Sequence, residues 1–285
     1  MTAKIVNGRE IALSIKKKLQ HEVNRLQSKY DCKPMLATVI VGEDPSSEIY
    51  LKLRDKACKE IGINTSYFRF KKNISEKKLI DEINVLNNNS KIHGILVQYP
   101  LPNHISQNNL MSSIHPDKDV EGFNPCNMGK TLLGNESILP CTPSSVLTIL
   151  EHEKEILKGR DITIINHSNV VGKPLAAMLL NRDATVTICH VFTKNLIDFT
   201  SKADILISAV GKPKLITCKY IQEKSFVIDV GIAQTKEGIC GDVDFDLVKE
   251  KARKITPVPG GVGPVTITSS IQNTIKLYKI SFGEV

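Results

Sequence analysis

The chain has 285 residues, enough for two domains of ordinary size or one large one with an ample core, and it is no small stapled scaffold. Its formal charge of +8 comes from lysines spread along the whole length, with no arginine-rich or aromatic-interleaved stretch, so a small anionic substrate is expected and no nucleic acid. The seven cysteines form no C-x-x-C pair and sit partly inside apolar runs, and no apolar segment reaches membrane-spanning length, so reduced thiols, a cytoplasmic setting and no membrane partner are expected.

The first six residues lack the apolar core of a signal peptide. Residues 8–30 carry Ile11, Ile15, Leu19, Val23 and Leu26 among lysines and glutamates at helical spacing, which predicts an amphipathic helix. Residues 35–41 are a continuous apolar run closed by Gly42-Glu43-Asp44-Pro45, the pattern of a buried strand ending in a turn. Ser46 and Ser47 are expected to cap the next helix, which carries Tyr50 and Cys58 and stops at Gly62. A strand at 65–70, a helix at 75–86 and a strand at 92–99 follow, and this alternation predicts a parallel sheet. Residues 114–139 read as a long polar loop, and long irregular segments in compact domains are usually functional or disordered. A helix then runs to about 154, with Thr142 as its N-cap and Pro143 at the first helical position.

A second α/β series begins at Asp161, with strands at 162–165, 185–189, 205–210 and 226–230 and helices from 171 and near 195. Residues 164–174 read as strand, polar turn and helix start, where a phosphate can meet free backbone donors, although no G-x-G-x-x-G is present. Ser208-Ala209-Val210-Gly211 and Asp229-Val230-Gly231-Ile232 are two further strand ends closing on glycine. Side by side, three such ends would form a floor bare enough for a flat dinucleotide. The last stretch, Ile255-Thr256-Pro257-Val258-Pro259-Gly260-Gly261-Val262-Gly263-Pro264-Val265-Thr266, is stiff and nearly free of side chains. It reads as a strand-to-helix connection at the carboxyl end of a sheet, or as a turn that is merely rich in Pro and Gly.

Together these segments resemble the bifunctional methylenetetrahydrofolate dehydrogenase/cyclohydrolase family over essentially the whole chain. The resemblance rests on Val41-Gly42 through Tyr50, Lys56-Ala57-Cys58, Gly94 through Pro102, Pro116-Asp117-Lys118-Asp119-Val120, Pro140-Cys141-Thr142-Pro143, Ser168-Asn169-Val170-Val171-Gly172, Thr193-Lys194-Asn195-Leu196, Asp229-Val230-Gly231-Ile232 and the Pro257 to Thr266 loop. It implies two α/β domains: a folate-binding catalytic domain at 1–140, and a Rossmann-like NAD(P)-binding domain at 141–285. A cleft is expected between them, with the helix at 266–281 packing back on the first. The resemblance also implies a homodimer using NADP, or NAD in some members, and acting on tetrahydrofolate derivatives in one-carbon metabolism and purine biosynthesis. The implied reaction is oxidation of 5,10-methylenetetrahydrofolate, then hydrolysis of the methenyl product to 10-formyltetrahydrofolate.

By the same resemblance Tyr50 stacks on the folate ring, Gln98 holds a lysine that assists proton movement, and Pro259, Gly260 and Gly261 line the substrate. Asn166, His167, Ser168, Val191 and Ile232 line the nucleotide. No metal ligand is implied. Three positions depart from the pattern. Arg54 stands where the family has its lysine, and a guanidinium stays protonated, so it holds charge without serving as a base. Hydrolysis that is weak or lost, with dehydrogenation kept, is therefore expected. Glu121 replaces an aspartate that pairs with the pterin, which moves the carboxylate by on the order of 1.5 Å. In the nucleotide site Asn166 replaces a glycine and is expected to tolerate unusual backbone angles, while His167 and Val191 weaken the expected preference for NADP over NAD. Two alternatives stay open here: a dehydrogenase without hydrolysis, and a folate binder that has lost catalysis.

Overall fold

The computed structural model describes residues 2–236 and 238–284, without the side chains of Pro45 and Ser46. In chain order it runs β1 (Lys4–Ile5), α1 (Gly8–Tyr30), β2 (Met35–Val41), α2 (Pro45–Ile61), β3 (Asn64–Phe70), α3 (Glu76–Asn88), β4 (Gly94–Val97), α4 (Gln107–Ser113), α5 (Pro125–Leu132) and α6 (Cys141–His152). It continues with β5 (Asp161–Ile165), α7 (Gly172–Leu180), β6 (Thr185–Cys189), α8 (Ile197–Thr200), β7 (Ile205–Ser208), β8 (Phe226–Asp229), β9 (Ala233–Thr235), β10 (Gly238–Cys240), α9 (Phe245–Val248), β11 (Lys254–Ile255) and α10 (Val262–Ser281). The chain divides into two compact units.

One unit comprises Leu13–Lys130, Glu136–Cys141 and Ile267–Val285. Its sheet is parallel, in the order β3-β2-β4. Successive residues of a strand face opposite ways, so Leu36 joins a cluster with Leu26, Ile61 and Tyr278, while Ala37 and Val39 join another with Leu79 and Ile83. Both faces are covered, which is why β2 reads as unbroken apolar sequence. Each fully buried Leu or Ile contributes about 1.5–3 kcal/mol. Gly62 ends α2 at φ 93°, a left-handed angle that glycine adopts without steric cost, and donates its N–H to the Cys58 and Lys59 carbonyls. The N-cap of α2 is Asp44, whose carboxylate accepts from the Ser47 N–H at 2.8 Å. Ser47 is thus not the cap but the capped residue, and the side chain of Ser46 lies outside the described residues.

The other unit comprises Met1–Ala12, Thr131–Asn135 and Thr142–Thr266. A six-stranded sheet runs β1-β11-β8-β7-β5-β6, with parallel pairing throughout. The β1 strand brings Lys4 beside Lys254, and the buried Glu153 carboxylate binds both ammonium groups, at 2.7 and 2.8 Å. Neither β1 nor β11 shows in the hydrophobic pattern, because two residues are too short to carry a period.

Three local expectations are corrected. Residues 114–139 are not all loop, since α5 and a 3-10 turn at Pro116–Lys118 lie within them. The helix expected to be capped by Thr142 begins at Cys141 and ends at His152, so Thr142 lies in its first turn. The final helix starts at Val262, four residues earlier than the pattern indicated, taking the last glycine and proline of the loop into its first turn. Proline lacks only an N–H that the first turn leaves unpaired in any case. No helix among the described residues is long and apolar enough to cross a membrane.

Candidate active site

Four of the candidates gather in the first unit. Tyr50 and Arg54 are one turn apart on α2 and so share a face. Arg54 is only 4% exposed, with Cζ 4.8 Å from the centroid of the Tyr50 ring. Lys52 and Lys56 lie exposed on other faces of the helix. Gln98 follows β4, which pairs with β2, and its Oε1 accepts from Arg54 Nη1 at 3.4 Å while its Nε2 donates to the Tyr99 carbonyl at 2.9 Å. Among the described residues Arg54 Nε has no hydrogen-bond partner and Arg54 forms no ion pair, while the Tyr50 hydroxyl is a second hydrogen-bonding neighbour of the guanidinium.

Glu121 lies in the same unit, on a tightly built turn. Val120 N–H bonds to the Ile95 carbonyl at 3.2 Å, setting this segment beside β4. Asp119, fully buried, accepts from Gly122 N, Asn124 N and Asn127 Nδ2 at 3.0, 2.7 and 3.1 Å. Asn273 on α10 donates to the Val120 and Leu139 carbonyls at 2.9 and 2.7 Å. Glu121 itself is half-buried and, among the described residues, neither accepts a hydrogen bond nor forms an ion pair.

The fields in this pocket of residues are strong because little water screens them. Burial pushes the Glu121 carboxyl up to about 7, with Arg54 pulling it down and Asp119 adding to the rise. Burial likewise raises the Tyr50 phenol and carries the Cys141 thiol well above its usual value. Asp119, Asn124, Asn127 and Asn273 were missed by the sequence reading. Their signal was faint: polar residues around a loop, with nothing to say that they would be buried and aimed inward.

The nucleotide candidates lie in the second unit. Ile165 of β5, Ser208 of β7 and Asp229 of β8 are register partners, so the three strand ends stand side by side as the glycine pattern implied. Asn166 is a hub rather than a strained residue. It is not among the positive-φ positions; its Oδ1 accepts from Ser168 N, Ser168 Oγ and Gly172 N at 2.8, 2.7 and 3.0 Å, and its Nδ2 donates to the Ala209 carbonyl at 2.6 Å. Gly172 is required here, because a Cβ would fall on the Asn166 carbonyl oxygen. The N–H groups of Val171, Gly172 and Lys173 are all taken up by Ser168 and Asn166. The first helical donors of α7 are therefore not the free phosphate ligands expected from the sequence.

His167 and His190 lie ring to ring at 4.7 Å, and Val191 is 75% and Ile232 61% exposed. Pro259, Gly260 and Gly261 form the turn between β11 and α10, and β11 is the sheet neighbour of β8. Beneath the floor, two buried carboxylates tie the turns. Asp242 accepts from Ser208 Oγ, Val210 N and Lys212 N at 2.8, 2.6 and 2.9 Å, and Asp229 accepts from Gly231 N, Asp242 N and Val243 N at 3.0, 3.1 and 2.9 Å. Burial pushes Asp229 up to about 7, and Asp242 beside it adds to the rise. Exposed apolar side chains around a glycine-bare floor suit the flat rings of a dinucleotide, and the polar turn at 166–168 suits its phosphates. Among the described residues no group of three His, Cys, Asp or Glu is placed to hold a metal ion.

Comparison with known proteins gives a consistent picture. Residues 6–121 match the tetrahydrofolate dehydrogenase/cyclohydrolase catalytic domain, and residues 140–282 match the NAD(P)-binding domain of the same description. The bifunctional protein FolD of Aquifex aeolicus is 46% identical over 281 residues, spanning 98% of this chain and 97% of that protein. Its namesake in Bacillus subtilis is 45% identical, spanning 98% and 99%. The crystal structure of the bifunctional FolD methylenetetrahydrofolate dehydrogenase/cyclohydrolase from Campylobacter jejuni superposes with a TM-score of 0.95 at 43% identity, covering 98% and 99% of the two chains. The Trypanosoma brucei enzyme, solved with NADP cofactor and inhibitor, superposes with a TM-score of 0.95 at 35% identity, covering 99% of each.

Proposed function

The chain belongs to the tetrahydrofolate dehydrogenase/cyclohydrolase family, and we propose on that premise that it oxidises 5,10-methylenetetrahydrofolate with NADP and hydrolyses the methenyl product to 10-formyltetrahydrofolate. The observation that carries this reading is the convergence of Tyr50, Arg54, Gln98 and Glu121 in one unit, from a helix, a strand end and a turn far apart in sequence. Near full-length similarity to proteins named bifunctional favours two half-reactions over a dehydrogenase alone or an inactive binder.

Tyr50 offers an aromatic face for the pterin on the side that Arg54 does not cover. Arg54, pinned by Gln98, holds a fixed positive charge at that ring. When bound, NADP supplies the hydride acceptor. Asn166 shapes the turn that would meet its phosphates, Ile232 and Val191 offer apolar contact to its rings, and His167 with His190 is the cationic-capable pair nearest Val191. Hydride transfer needs orientation rather than a protein base, so positioning supplies much of its rate. Hydrolysis needs a proton acceptor, and Arg54 is not one.

We place the protein in the cytosol, supported by seven free cysteines in the structure, and as a homodimer, supported by the family resemblance. Its place is tetrahydrofolate interconversion in one-carbon metabolism, upstream of purine biosynthesis. The test is direct: purified protein given 5,10-methylenetetrahydrofolate and NADP forms NADPH and the methenyl product. Given methenyltetrahydrofolate alone, it forms 10-formyltetrahydrofolate faster than buffer does. Failure to produce NADPH would sink the reading.

A further inference from the structure

A continuous hydrogen-bonded chain crosses the ends of four neighbouring strands of the nucleotide sheet, β5, β7, β8 and β11. It begins in the turn after β5, where Asn166 Nδ2 donates to the Ala209 carbonyl at 2.6 Å. The N–H of the same peptide, that of Val210, donates to Asp242 Oδ2 at 2.6 Å. Asp242 also accepts from Ser208 Oγ and Lys212 N, so its carboxylate gathers three donors from the end of β7 and the turn after it. The backbone N–H of Asp242 then donates to Asp229 Oδ1 at the end of β8, and Asp229 accepts from Gly231 N and Val243 N as well. The Asp229 N–H ends the chain on Thr256 Oγ1, one residue after β11, at 2.8 Å.

Two glycines make room for this arrangement. A Cβ on Gly231 would fall 2.1 Å from Asp242 Oδ1, and one on Gly241 would fall 2.0 Å from Asp229 Oδ2. Neither glycine has a positive φ, so the requirement is for space and not for backbone freedom. Asp229 and Asp242 are 3% and 0% exposed, and neither forms an ion pair among the described residues. Burying two anions without a cation opposes folding, and apolar side chains would carry no such penalty. What the carboxylates supply is geometry, because three charge-assisted hydrogen bonds to each fix the peptide planes of the turns around them.

We propose that Asp242 is the positioning residue of the nucleotide site: its carboxylate sets the turn after β7 against the turn after β8, and so shapes the surface that receives NADP. This rests on the function assigned above and adds a residue role to it. Asp242 is wholly buried, so it acts through the backbone it holds and not by contact.

Calorimetric titration of the full chain with NADP alone tests this, followed by steady-state dehydrogenation. Asp242→Asn keeps the side-chain shape but replaces one accepting oxygen by an amide donor, which then opposes Val210 N or Lys212 N. It is expected to weaken NADP binding by about 30-fold, the scale of one lost hydrogen bond to a charged group. KM for NADP should rise in step, while KM for folate stays within about threefold of the wild type. Gly231→Ala retains both carboxylates yet drives its Cβ into Asp242. It should weaken NADP binding similarly, and it carries the test where Asp242→Asn does not fold. The double variant Asp242→Asn/Gly231→Ala should be little worse than the worse single variant, because both break the same contact. Additive losses would overturn the proposal, since Gly231 would then act on the cofactor independently of Asp242. Unchanged NADP binding by either folded variant would also overturn it, because a purely structural residue lowers the active fraction and leaves the dissociation constant as it was. A wild type that binds NADP without reducing it removes the function assigned above and leaves this test standing. A wild type that does not bind NADP removes both.

Discussion

Arg54 lies across the Tyr50 ring with its Cζ 4.8 Å from the ring centroid, while its Nε finds no hydrogen-bond partner. A buried cation so poorly paired is retained for something other than stability, since replacing a buried charge by a well-packed apolar side chain is often neutral or stabilising. Arg54→Met is therefore expected to leave the urea midpoint unchanged or raise stability by about 1 kcal/mol. A large loss of stability would contradict this.

A lysine at position 54 can lose its proton, which a guanidinium cannot. Arg54→Lys is therefore expected to raise the hydrolysis rate by about tenfold over the wild type. Side-by-side single-turnover hydrolysis by the wild type and this variant measures it. Equal rates would mean that position 54 has no access to the reacting water.

The nucleotide unit carries a stability signature in Asp229. Its carboxyl titrates at the ordinary value of 3.8 when unfolded and near 7 when folded. Between those values the folded state binds more protons than the unfolded state, so stability falls as pH rises through that window and levels off above it. Glu121, raised to about 7 in the other unit, acts in the same direction. Urea midpoints at constant ionic strength should decline from pH 4.5 to pH 7.5, roughly the span between the two values, and Asp229→Asn should flatten the decline. A midpoint that rises across this range would refute the assignment.

Val191 is three-quarters exposed and its side chain offers no hydrogen bond to an adenosine 2′-phosphate, and His190, its neighbour in the chain, lies ring to ring with His167. A preference for NADP over NAD well below several hundredfold is expected, judged by kcat/KM at saturating folate. Val191→Ser adds a donor to a charged acceptor and should raise the ratio by about tenfold, equivalent to about 1.4 kcal/mol. An unchanged ratio would place the 2′-phosphate elsewhere.

Much of the molecule was legible before its structure. The Met35–Val41 strand, the stop at Gly62, and the shared face of Tyr50 and Arg54 all follow from local rules of period and backbone geometry. Three adjacent strand ends, two of them closing on glycine, were also readable, because parallel α/β alternation leaves few topologies for a sheet. Folding in three dimensions decided the rest. β1 joins the far edge of the nucleotide sheet through pairing with β11, some 250 residues away, and no local pattern encodes a two-residue strand. Asn166, readable only as tolerant of unusual angles, became the acceptor that closes its turn once Ser168 and Gly172 folded around it. Asp119 and Glu121 are two acidic residues in one loop, indistinguishable by type. Distant packing buries the first among donors and leaves the second half-buried and, among the described residues, without a hydrogen-bond partner. Desolvation and hydrogen bonding depend on what the whole chain brings to a point, so residue order sets which groups are present and only the fold sets their protonation chemistry.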